Sequence, residues 1–274
     1  MRSCHNIFYG LEDSPAPDAA LPAARECGLK SVRNHYDDFL APVYSWILGD
    51  FENAYQGNVK FFAELGLSPA QGEIAVDLGC GPGCQSLPLA ELGFNVLAID
   101  FCQVLLDELA QRAGDARITA VCDDLVEFDR HLDGAPDLIV CMGDTLVHLP
   151  DTLSVDTVID KVCTTLKPGG TFIYSIRDYV ADGPQGAERF IPIRADDRQI
   201  FLCFLDYRPT VVHVHDVLYT REDGAWQLKI SDYLKLRLDT GKINRRLAAN
   251  GLEISRQTTV NGMIHVAAIK TVDA

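Results

Sequence analysis

Three glycines at alternate positions, Gly79, Gly81 and Gly83, follow the apolar run Ile74-Ala75-Val76-Asp77-Leu78. Glycine lets a backbone turn sharply and approach a ligand where a Cβ would clash. A helix beginning after Gly83 would add unpaired backbone N–H groups. Dinucleotide-binding loops use G-x-G-x-x-G and seat a pyrophosphate on the helix N-terminus. Here the spacing is G-x-G-x-G, Pro82 lies inside it, and Asp77 precedes it. A carboxylate there repels an anion and suits a ligand that carries positive charge.

Further carboxylates stand where later strands should end. Asp100 reads as a carboxylate facing a ligand at a strand end, or else as the N-cap of the next helix. Asp123-Asp124-Leu125 follows the third apolar run. Asp144 and His148 are four residues apart, so one helical turn would put them on one face. His148 then reads as a general base, or Asp144 as an N-cap beside a structural histidine. Arg177 and Tyr179 share a side if their strand continues. Arg177 is a carboxylate clamp or the partner of a nearby acid. Tyr36 and Tyr44 either touch a ligand or pack as ordinary aromatics. His213 and His215 share a strand face without a third metal ligand, which fits a hydrated face. Cys80 and Cys84 have no second pair at zinc-site distance, so no metal is expected.

These side chains need a frame. From residue 73, short apolar runs alternate with amphipathic patterns: strands over 74–78, 95–99, 118–122, 138–142 and 171–176, and helices over 85–92, 104–112 and 153–166. Continuous apolar strands alternating with helices predict a parallel sheet covered on both faces. Residues 31–67 carry aromatic and apolar residues at helical spacing, predicting a packed helix pair. Between 190 and 237 the runs are strand-like, with a hairpin turn at Glu222-Asp223-Gly224. A helix over 242–250, stopped by Gly251, and strands over 253–257 and 263–270 close the chain. The expected fold is α/β: a doubly wound, Rossmann-like, mostly parallel seven-stranded sheet with N-terminal helices and an antiparallel β insert, or lid, after strand five. The expected division is a flexible arm over 1–30, a main domain over 31–178 and 238–274, and the lid over 179–237.

The segment 74–83 resembles motif I of class I S-adenosylmethionine-dependent methyltransferases. That resemblance implies that Asp77 lies near the methionyl end and that Gly79, Gly81 and Gly83 pack under the nucleoside. It implies that Asp100 accepts the ribose hydroxyls, with Phe101 beside it. Asp124, with Leu125, would meet the adenine amine, Asp123 being the alternative. Tyr36 and Met142 would complete the cofactor site. The chain is most similar to glycine/sarcosine-type N-methyltransferases around 141–151, at Arg177-Asp178-Tyr179 and at Leu205-Asp206-Tyr207. Aspartate replaces the expected asparagine at 144 and 178, which points to an acceptor more cationic than glycine. The acceptor pocket would then hold Asp144, His148, Arg177, Tyr179 and Tyr44.

Composition narrows the partners. A formal net charge of −15 without a basic run disfavours nucleic acid and anionic membranes, which require positive surfaces. No apolar stretch approaches the roughly 20 residues of a membrane span, and the N-terminus lacks a signal-peptide pattern. Nine cysteines, several inside apolar runs, suit a reducing compartment. The expectation is a cytoplasmic enzyme using S-adenosyl-L-methionine on a small-molecule amine, with room for a homodimer. O- or S-methyl transfer, an NAD(P)-dependent oxidoreductase and a non-catalytic cofactor-binding protein are the alternatives.

Overall fold

The computed structural model describes residues 31–49, 51–70 and 72–272; the arm expected over 1–30 lies outside them. The N-terminal helical region opens with α1 (Val32–His35), passes through a π-helical turn, Tyr36–Leu40, and continues as α2 (Ala41–Ile47) and α3 (Phe51–Glu64). A π-turn widens the helix locally and re-aims side chains, a device frequent at functional sites. Then follow β1 (Ile74–Leu78), α4 (Ser86–Leu92), β2 (Asn95–Asp100), α5 (Gln103–Ala113), β3 (Ile118–Cys122), β4 (Leu138–Cys141), α6 (Thr152–Thr165) and β5 (Thr171–Arg177). The insert supplies β6 (Phe190–Ala195), β7 (Gln199–Tyr207), β8 (Val211–Glu222) and β9 (Ala225–Leu236). The chain closes with α7 (Thr240–Ala249), β10 (Leu252–Val260) and β11 (Met263–Lys270).

The seven-stranded sheet has the order β10-β11-β5-β4-β1-β2-β3, and a four-stranded sheet has the order β6-β7-β8-β9. Strands β1 to β5 pair in parallel, while β11 runs antiparallel to β5 and to β10. Side chains alternate across each strand, and the core divides accordingly. Val76, Leu78, Ile139, Phe172 and Tyr174 pack on one face with α6, α7 and the lid. Ala75, Ala98, Val140 and Ile173 pack on the other with α4, α5 and Phe62 of α3. Asp223 and Gly224 both have positive φ (50° and 82°), the signature of a type I′ hairpin turn. Gly251 (φ 81°) follows Asn250, the C-cap of α7, as a left-handed stop.

The chain leaves β1 towards β2 and β3, then crosses back to β4 on the other side. The loops after β1 and β4 therefore part at the carboxyl edge of the sheet. Such a switch point opens a crevice where doubly wound folds bind ligands.

Candidate active site

A cavity of about 1060 Å³ occupies that crevice, walled by the strand ends, by α1–α2 and by the inner face of the four-stranded sheet. This lies at the upper end of ordinary ligand pockets, roughly 300–1,000 Å³, and leaves space for a nucleoside-sized cofactor with a second molecule.

Asp100 ends β2 and faces the cavity. Its Oδ2 accepts from Gly81 N (2.9 Å) and its Oδ1 from Cys102 N (2.8 Å). The carboxylate thus ties the glycine loop to the start of α5, and each oxygen keeps acceptor capacity for a ligand. Burial raises its pKa against those two N–H groups. The capping and ligand-binding readings of Asp100 are compatible, because they use different lone pairs.

The three glycines divide by role. A Cβ on Gly79 would lie 2.4 Å from Thr145 Cγ2, and one on Gly83 would lie 2.4 Å from Leu109 Cδ1. Gly81 has φ +51° and nothing nearer than Tyr44 at 3.9 Å. Gly79 and Gly81 line the cavity, whereas Gly83 and Asp77 do not. Gly83 is required by α5 packing behind the loop. Asp77 is 1% exposed; its Oδ2 accepts from Ser86 Oγ (2.6 Å), while its Oδ1 is buried without a partner. Burial pushes this carboxyl up to about 7, despite the Ser86 hydrogen bond.

Asp124, Leu125, Phe101 and Met142 also line the cavity. Asp124 caps the 3-10 turn Leu125–His131 through Val126 N (2.9 Å). Asp123 turns away to His131 (2.7 Å). Tyr36 packs edge-on to Phe101 and to His148, and lies 5.9 Å from Tyr44. Burial drives both tyrosine hydroxyls well above their ordinary range.

At the opposite end stands Asp144. It is not a helix cap: Thr145 precedes the 3-10 turn Leu146–His148, and Asp144 has φ +73°. For a non-glycine residue that is an uncommon conformation, and here it aims the carboxylate inward. Oδ1 accepts from Arg177 N (2.9 Å), and Oδ2 from Tyr179 Oη (2.8 Å) and Lys235 Nζ (2.7 Å). Burial would raise Asp144, but the Lys235 ammonium and the Arg177 N–H outweigh it and hold it below the usual range. Burial likewise opposes the Lys235 charge, but Tyr233, Asp144 and Tyr179 around it shift the ammonium upward. Tyr179 is pushed up to about 12, chiefly by burial.

His148 stacks on Tyr233, with ring centroids 5.5 Å apart, and its Nδ1 is buried without a partner. Burial, with the Lys235 charge, pushes it down to about 3. Arg177 reaches the cavity rim and donates to Asn261 O at 3.3 Å. Tyr179 lies beyond the end of β5 and is buried, so the two residues do not continue one strand face.

Lys235 escaped sequence reasoning. The two-residue period of β9 puts it on the same face as Ser231 and Tyr233, but nothing local says that this face turns inward. His35 was also missed. It is fully buried and bridges Ser231 Oγ (2.8 Å) and Asp216 Oδ2 (3.1 Å) while stacking on Tyr233. The expected hydrated face at His213 is corrected: His213 is 8% exposed and sits between Arg208 (2.6 Å) and Asp232 (2.7 Å). Two rows of cross-strand neighbours enclose it. No three-residue metal cluster occurs among the described residues.

Residues 75–170 match the family model described as "Methyltransferase domain". A ubiquinone biosynthesis O-methyltransferase of Methylococcus capsulatus is 35% identical over 108 residues, covering 38% of this chain and 43% of that protein. Rat (Rattus norvegicus) glycine N-methyltransferase is 24% identical over 117 residues, covering 38% of this chain and 40% of that protein. These alignments thus span less than half of the curated relatives' length. The S-adenosylmethionine-bound amino pentose methyltransferase of Micromonospora echinaspora superposes with a TM-score of 0.66 at 16% identity, covering 84% of this chain and 96% of that one. The residues that match the methyltransferase-domain model contain the glycine loop, Asp100, Asp124 and Asp144, and the solved methyltransferase shares the fold that positions them.

Proposed function

We propose that the protein transfers a methyl group from S-adenosylmethionine to a small molecule bound between the sheet edge and the lid. The observation that carries this reading is Asp100, whose carboxylate pins Gly81 N and still faces the cavity. The chain's own groups fit the cofactor. Asp100 suits a ribose diol, and Gly81 leaves open space beside Tyr44. When bound, the cofactor supplies an electrophilic methyl on a sulfonium.

The protein's part is positioning and exclusion of water, which accounts for much of such a rate enhancement. His148 and Tyr179 are both neutral at pH 7, and with a pKa near 3 His148 is a weak proton acceptor. The acceptor therefore has to arrive with its lone pair already free. An amine free base and an ionised oxygen both satisfy that condition. The free charge of Asp144, which favoured a cationic acceptor, is taken up by Lys235.

Titration calorimetry with S-adenosylhomocysteine tests the reading. Wild-type protein should bind it, and Asp100→Ala should weaken binding at least tenfold, the loss of one charge-assisted contact. Absence of binding to the wild type would refute the proposal.

A further inference from the structure

The end of the cavity at Asp144 contains an ammonium that the described residues do not fully satisfy. Lys235 Nζ donates to Asp144 Oδ2 (2.7 Å) and Tyr179 Oη (3.1 Å). A lysine ammonium carries three protons, and among the described residues Lys235 has no third acceptor within hydrogen-bonding distance. Its side chain is 14% exposed and lines the cavity. The groups that feel its charge include Tyr36 and Tyr44 from the N-terminal helices, Asp144 and His148 from the loop after β4, Tyr179 after β5, Cys203 and Tyr207 on β7, and Tyr233 on β9. Of these only Asp144 is a carboxylate, and it already holds three donors. Asp144 balances the Lys235 charge, but the ammonium's remaining N–H faces the cavity and pairs best with an ionised oxygen, because charge-assisted hydrogen bonds are the stronger kind.

We infer that Lys235 selects acceptors carrying an ionised acidic oxygen, of the phenol, enol or carboxylic acid class, and holds that oxygen through its remaining N–H. Asp144 is the positioning residue, since its left-handed backbone and its bond to Arg177 N fix where the ammonium points. The acceptor's proton goes to solvent on ionisation, and Lys235 keeps its own. If that oxygen is the reacting atom, the O–CH3 bond forms as the S–CH3 bond breaks, and the bonding pair returns to sulfur.

This inference rests on the methyl-transfer reading above, and the test separates the two. 4-Nitrophenol, whose ionised form absorbs visible light, would be titrated into protein saturated with S-adenosylhomocysteine, with benzylamine as the cationic counterpart. Wild-type protein should bind the phenolate in preference to benzylammonium and lower the pH at which the bound probe ionises by about one unit or more. Lys235→Arg should retain much of that shift. Lys235→Gln should lose it, and so should Lys235→Gln with Asp144→Asn, which removes both charges and leaves none unpaired. Thermal unfolding of each variant reports whether it has folded. A bound probe that ionises as in free solution, a preference for benzylammonium, or binding of neither probe would overturn the inference. So would a folded Lys235→Gln whose probe still ionises early, since Lys235 would then only latch the lid. If S-adenosylhomocysteine itself fails to bind, the methyl-transfer reading falls instead. With S-adenosylmethionine supplied, methylation of the phenol oxygen identifies it as the reacting atom, whereas tight binding without turnover identifies it as an anchor; both outcomes support the inference.

Discussion

Asp77 is the penultimate residue of β1 and Asp100 the last of β2, but their surroundings differ. Two backbone N–H groups support Asp100, whereas Asp77 has one hydroxyl and an oxygen without a partner. The Asp77 carboxyl, at about 7 in the folded chain against an ordinary 3.8, binds a proton between these limits that the unfolded chain has lost. Stability should therefore fall as pH rises from about 4 to 7, by up to roughly 4 kcal/mol at about 1.4 kcal/mol per pH unit. Asp77→Asn should flatten that dependence in ligand-free protein and be relatively more stable at pH 8. Denaturant unfolding at a series of pH values measures both. The glycines make a second prediction. Gly83→Ala forces a Cβ onto Leu109 at φ +94° and should cost about 3 kcal/mol of stability. Gly81→Ala should cost about 1 kcal/mol, fold normally and weaken S-adenosylhomocysteine binding, because its Cβ enters the cavity.

At the scale of elements, the N-terminal helices close the cavity by docking on the lid, not on the main sheet alone. Arg194 of β6 donates to the carbonyls of Trp46 and Gly49 at the end of α2, and lies over the Trp46 ring. Trp46 Nε1 donates to Asp196 (2.7 Å), and His35 reaches Ser231 and Asp216 on β9 and β8. Arg194→Ala removes the donor of the Gly49 carbonyl and one of the donors of the Trp46 carbonyl, which keeps the Gly49 N–H at 3.0 Å. Hydrogen exchange across 41–49 should accelerate about tenfold, equivalent to roughly 1.4 kcal/mol of local opening, while β1 amides stay protected. Exchange read by mass spectrometry decides this. The π-turn Tyr36–Leu40 follows His35 directly, and its first residue, Tyr36, packs on Phe101.

At the scale of the whole chain, the apolar core does not stop at the lid. Leu205, Val212, Val214 and Leu236 of the lid pack in one cluster with Ile176, Phe172 and Val266 of the main sheet. A shared core couples the unfolding of the parts that build it. Heat should therefore unfold the main sheet and the lid in one transition in calorimetry, although the sequence reads as separate segments. No described helix is long and apolar enough to cross a membrane, and the formal charge of −15 opposes a polyanionic partner.

The sequence by itself determined the sheet and its switch point. Alternation of apolar strands with amphipathic helices is a local pattern, and right-handed parallel connections leave few ways to assemble it. The loop at 79–83 and Asp100 are legible for the same reason, being tied to strand ends by position along the chain. Tertiary structure alone decided the charge of the cavity around Asp144. Asp144 reads as a free carboxylate until β9, some ninety residues later, brings Lys235 within 2.7 Å. The pairing of His35 with Ser231 and Asp216 is equally remote. Local pattern says which face of a strand a side chain occupies. What that face meets depends on how the lid folds back over the sheet, and the desolvation and pairing there set the charge of every group in the pocket.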